Sequence, residues 1–142
     1  LPEPRTRLGL LAGRHARAAV DVSDGLLQDL GPLLARSGLG ATVRAADLPL
    51  GPEVAALGVE GLRLALTGGE DFELLLAVPP DRVATLRRAA ARLGERLTEI
   101  GVLEAEPGIR VVDAAGRPLP LPRRRGFSHF GAGRLARRGG VG

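Results

Sequence analysis

The sequence contains no cysteine, methionine, tryptophan or tyrosine, and only 3 phenylalanines. The lack of cysteine excludes disulfides, thiolate metal sites and cysteine nucleophiles together. His15 and His129 are the only histidines and stand far apart, so a zinc site has too few ligands. Any metal would therefore be a hard cation on carboxylates. No apolar run approaches the length of a membrane span, and no signal-peptide pattern opens the chain. A soluble cytoplasmic protein with no membrane partner is expected. The missing methionine and the opening Leu1-Pro2-Glu3-Pro4-Arg5 suggest a piece of something longer. Both prolines favour extended backbone, so residues 1–16 read as a linker from a missing N-terminal domain.

Lysine is absent too, and all 20 basic residues are arginines. Six of them lie from Arg123 onward, where there is no acid, whereas residues 1–122 hold the other 14 and all 16 acids. The net charge of +4 thus belongs to the tail, and the body is slightly acidic. That distribution argues against nucleic acid as a partner, although a non-catalytic module engaging it through the tail is the contrasting class. The 142 residues, 44% hydrophobic and 25% charged, suit one domain with a modest core. That domain is placed at 17–130, with 131–142 as a disordered tail.

Ala18 to Ser23 reads as a short strand ending in polar residues. A helix follows over 25–37, with Leu26, Leu27, Leu30, Leu33 and Leu34 on one face, Pro32 inside and Gly38 as cap. Ala41, Val43 and Ala45 alternate as a half-buried strand. A short helix is expected near Glu53–Leu57, while Leu62–Leu66 is ambiguous. Leu74 to Val78 reads as a central strand, apolar on both faces. Pro79 and Pro80 open a helix with Val83, Leu86, Ala90 and Leu93 inward, capped by Gly94. Strands near Leu97–Leu103 and Ile109–Asp113 complete the pattern. The fold class is α+β, a mixed β-sheet with helices packed on one face.

Three constellations carry chemistry. In Asp21-Val22-Ser23-Asp24-Gly25-Leu26, Asp21 leaves a strand and Asp24 starts a helix. Two carboxylates across such a turn can converge on a Mg²⁺ shared with a phosphate, to which Ser23 could donate. Helix capping by Ser23 or Asp24, with Asp29 solvated, explains the same residues. In Thr67-Gly68-Gly69-Glu70-Asp71-Phe72-Glu73-Leu74, Glu70 and Asp71 could accept from a cationic or hydroxyl-rich substrate; otherwise this is a glycine turn with acids facing water. In Arg123-Arg124-Arg125-Gly126-Phe127-Ser128-His129-Phe130, a loop aromatic could stack on a cationic ring. Alternatively Phe127 and Phe130 pin the C-terminus to the core.

These motifs, in this order and at these spacings, resemble thiamine-monophosphate kinase nearly throughout the chain up to Phe130. The first motif is shared loosely with ATP-binding relatives such as aminoimidazole ribonucleotide synthetase, whose C-terminal domain the fold would then follow. The Gly-Gly-Glu-Asp motif is more specific to the thiamine enzyme. The resemblance implies ATP- and Mg²⁺-dependent conversion of thiamine monophosphate to thiamine diphosphate by a two-domain homodimer. By position it implies Asp21 and Asp24 on Mg²⁺, Ser23 on the nucleotide, Glu70 or Asp71 on the thiamine phosphate, and Phe127 against its ring system. Phe72 stands where the family usually has Tyr, and Phe127 where Trp or Tyr is common. The N-terminal domain would supply further metal-binding acids, so this chain alone is expected to be nearly inactive. The enzyme alternative is an ATP-using relative acting on another small molecule.

Overall fold

A computed structural model describes residues 4–68 and 74–121. Eleven elements follow one another there: α1 (Pro4–His15), β1 (Ala18–Asp21), α2 (Leu26–Ser37), β2 (Gly40–Arg44), a 3-10 turn (Ala45–Asp47), α3 (Pro52–Ala55), α4 (Val59–Thr67), β3 (Leu74–Ala77), α5 (Pro80–Arg92), β4 (Gly101–Glu104) and β5 (Gly108–Val112). The architecture is α+β, as the alternation of periods implied.

The strands divide between two sheets. β2 is the centre of a mixed three-stranded sheet, antiparallel to β4 and parallel to β5. Its alternation decides the packing. Ala41 and Val43 are buried, and Val111 of β5 beside them is 1% exposed. The apolar stripe of α2, with Leu26, Leu27, Leu30 and Leu34 all buried, joins these residues in one hydrophobic cluster with Leu48 and Leu66. α2 runs through Pro32 without ending, and Gly38 closes it in the left-handed region. There the Leu39 N–H donates to the Leu34 carbonyl at 3.1 Å.

Alternation places Thr42 on the sheet face away from the cluster. Its hydroxyl donates to Glu104 Oε1 at 2.7 Å, and Arg110 of β5 pairs with the same carboxylate. The Thr42 hydrogen bond, then Arg110, hold Glu104 below the usual carboxylate range. A polar ladder across three strands thus finishes a face that α2 does not cover.

The second sheet is a two-stranded antiparallel ribbon of β1 and β3, pairing Ala18 with Ala77 and Asp21 with Leu74. No residue of either strand is fully buried. Leu74–Ala77 is therefore not the central, doubly covered strand that its apolar run suggested. Its only strand neighbour among the described residues is β1.

Residues 4–15 are helical where a linker was expected. Pro4 is the first helical residue, a position where its missing N–H costs nothing and its fixed φ helps. α1 packs against α5, burying Ala12, Leu86 and Ala90 in a group separate from the main cluster. Arg82 Nη1 donates to the Arg14 carbonyl at 3.1 Å, tying the end of α1 to the start of α5. Leu93, expected inward, is 40% exposed because α5 has already ended at Arg92. The ambiguous stretch Leu62–Leu66 is helix α4, with Gly61, Ala65 and Leu66 buried. Among the described residues, no helix is long and apolar enough to cross a membrane.

Candidate functional site

Residues 21–25 link the ribbon to the core. Asp21 ends β1, Val22 turns inward and is buried, Ser23 and Asp24 face solvent, and Gly25 is buried again. Two apolar anchors thus hold a turn whose polar side chains point out. Leu26 and Leu27 follow at once, fixing the start of α2 against the cluster.

Gly25 is where glycine is required. Its φ of 125° lies in a region that other residues rarely adopt. A Cβ there would also stand 2.7 Å from both the carbonyl carbon and the carbonyl oxygen of Thr67. The turn is therefore pressed onto the C-terminal end of α4, at the residue that opens the second motif. The other flank of that motif arrives nearby through the ribbon, since Leu74 pairs with Asp21. Thr67 and Leu74, on either side of 69–73, thus both lie against residues 21–25. Glu70 and Asp71 lie within it, outside the described residues, as does Phe127 beyond residue 121.

Asp29 departs from expectation. Its Oδ2 accepts the N–H of Ser23 at 2.8 Å and the N–H of Asp24 at 3.0 Å. It is half-buried, not solvated. Ser23 and Asp24 do not cap α2 either: the N-cap is Gly25, and no side chain makes a capping bond there. The helix-capping alternative for these two residues therefore fails. Helical side chains tilt toward the N-terminus, so an acid one turn into α2 reaches back over the preceding loop. An acid four residues after the glycine was the available signal; it resembles a capping box displaced by one position.

What can this arrangement hold? Asp21 and Asp24 offer hard oxygen donors beside the positive end of a helix. Among the described residues no group of three or more Asp, Glu, His or Cys could hold a metal ion. The described residues thus build no closed protein cage here. Two exposed carboxylates fit a cation that keeps waters and shares phosphate oxygens, which is how Mg²⁺ binds with nucleotides. Asp29 is already engaged by two backbone donors and is not one of the pair.

Residues 4–114 match the family described as AIR synthase related protein, C-terminal domain. The chain is 37% identical over 134 residues to a thiamine-monophosphate kinase of Caulobacter vibrioides, covering 90% of this chain and 38% of that protein. The crystal structure of thiamine-monophosphate kinase from Stenotrophomonas maltophilia K279a superposes with a TM-score of 0.70 at 41% identity, over 83% of this chain and 37% of that one. AaThiL complexed with AMPPCP and TMP superposes at 0.63 with 30% identity, over 84% of this chain and 37% of that one. The chain spans about two fifths of the length of the relatives it matches.

Proposed function

Because the chain belongs to the AIR synthase related protein, C-terminal domain family, we propose that it is the C-terminal part of a kinase converting thiamine monophosphate to thiamine diphosphate with ATP and Mg²⁺. One observation carries the reading: Gly25 against Thr67 and Asp21 against Leu74 bring the acid-bearing turn to both flanks of the Gly-Gly-Glu-Asp segment. Phosphoryl transfer needs that adjacency. Donor nucleotide and acceptor phosphate must meet in line, and little covalent chemistry is left for the protein to do. A relative of 30% identity, complexed with AMPPCP and TMP, supports the same pairing of ligands.

In this reading Asp21 and Asp24 hold Mg²⁺ and Ser23 donates to the nucleotide. Bound there, the cation would neutralise charge on the phosphates. Glu70 or Asp71 would contact the thiamine phosphate, and Phe127 would sit against its ring system. Val22 and Gly25, both buried, keep the turn in place. The remaining metal-binding acids come from an N-terminal domain, within a cytoplasmic homodimer of the whole protein. Alone, the 142 residues position too little of the transition state to turn over.

The test is thiamine diphosphate formation by the full-length protein with Mg²⁺, ATP and thiamine monophosphate. Wild type should form product, and Asp24→Asn should lose at least ~100-fold in rate, the scale of removing one electrostatic stabiliser. Absence of product from a folded wild type would overturn the substrate assignment.

A further inference from the structure

Asp29 belongs to neither motif's set of ligands, yet it makes the two hydrogen bonds that define the turn. Its carboxylate accepts from Ser23 and Asp24 across six and five residues, at 2.8 and 3.0 Å. Its own N–H donates to the Gly25 carbonyl at 3.0 Å, so its backbone is fixed by the first bond of α2. The neighbours Leu27 and Leu30 are buried in the core cluster, which holds this stretch of helix in place. One side chain therefore transmits the position of the core to a turn where Ser23 and Asp24 are exposed.

We propose that Asp29 is a positioning residue: by accepting the Ser23 and Asp24 N–H groups, its carboxylate fixes the turn that presents Asp21 and Asp24 to a cation. The proposal rests on the reading of that turn as a cation and nucleotide site. Two backbone donors drawn inward commit the peptide planes at 22–23 and 23–24. Asp24 itself stays exposed on this turn, three residues after Asp21 ends β1. Without the acceptor, both N–H groups face water in many orientations, and the two carboxylates must be brought together at the moment of binding. Affinity falls by the ordering that was previously built in. Outer-shell groups that orient metal ligands typically change affinity by ~10–100-fold when removed.

A neutral side chain with one oxygen separates this role from ligation or simple charge. Asparagine can accept both N–H groups at its Oδ1 but adds no negative charge, whereas alanine accepts neither. The experiment uses the full-length protein with Mn²⁺ as probe and AMPPCP present, reading bound Mn²⁺ by electron paramagnetic resonance. Amide proton shifts of Ser23 and Asp24 are followed by selective labelling. Asp29→Ala is expected to weaken Mn²⁺ binding ~10–100-fold and move both amide protons upfield, while Asp29→Asn retains most of both signals. If Asp29→Ala binds Mn²⁺ as wild type does, although Asp24→Asn does not, the positioning role is overturned and the site reading stands. If Asp29→Asn is as impaired as Asp29→Ala, Asp29 acts through charge and the proposal fails. If Asp24→Asn itself leaves Mn²⁺ binding unchanged, the reading of the turn fails, and the proposal with it. Thermal melts of each variant separate misfolding from loss of binding.

Discussion

The three-stranded sheet with α2 and the two-stranded ribbon with the 21–25 turn are built on opposite terms. In the first, β2 buries Gly40, Ala41 and Val43, and four leucines of α2 close over them. In the second, neither β1 nor β3 has a fully buried residue. Isolated two-stranded ribbons are marginal in water, so this one depends on what flanks it. The acids that carry the proposed chemistry are found on the weaker element. Their rigidity is borrowed from the stronger one through Gly25, Leu26 and Asp29.

Removing core volume far from the turn should hurt the first region and spare the second. Leu34→Ala, at a residue 4% exposed, is expected to cost about 3 kcal/mol in chemical denaturation. Well below its melting temperature, that variant should bind Mn²⁺ with AMPPCP as wild type does. If binding fell in step with stability, the turn would not be separable from the bulk of the core.

The joint between the regions is the next target. Gly25→Ala combines a forbidding φ with a Cβ 2.7 Å from the Thr67 backbone, and is expected to cost about 2 kcal/mol. Unlike the core variant, it should also weaken Mn²⁺ binding at temperatures where the protein is fully folded. Normal binding would mean that the turn does not need its seat on α4.

The smallest effect is expected at the outer face of the sheet. Glu104 is held below its ordinary value of 4.5 by Thr42 and then by Arg110. A depressed carboxylate contributes stability that is present above the ordinary value and lost as pH falls through 4.5 and below. Glu104→Gln should therefore lower stability slightly at neutral pH, converge with wild type in acid, and so flatten part of the acid limb of a stability–pH curve. An unchanged acid limb would remove the ladder from the list of stabilising features.

Much of the first region was legible in the sequence because its signals are local. Leu26, Leu27, Leu30 and Leu34 announce a helix face by spacing alone, and Gly38 announces its end. Ala41 and Val43 announce a strand by alternation. The ribbon was less legible. Leu74–Ala77 carries the composition of a buried strand, but burial depends on what the chain places beside it, and only β1 lies there among the described residues. α1 was hidden by its prolines, which read as extended until Pro4 is seen at the start of a helix. For the site, Asp21, Ser23 and Asp24 were visible as a motif, and the proximity of Thr67 to Gly25 was not. The bonds of Asp29 to Ser23 and Asp24 were not legible, because spacing says which face a residue occupies, not how far a tilted side chain reaches.

β2 pairs in parallel with β5, so Ala41 meets Ile109 and Arg44 meets Val112 only after residues 45–107 have been laid down. The centre of the core is thus closed by the last strand of the described chain. Such a pairing carries a large loop-closure entropy, and topologies rich in non-local contacts fold slowly. During synthesis, α2 and β2 leave the ribosome long before the edge that completes them. Until β4 and β5 arrive, the leucines of α2 have only one of the sheet's three strands to cover, and that interval is when the nascent chain most needs protection from association.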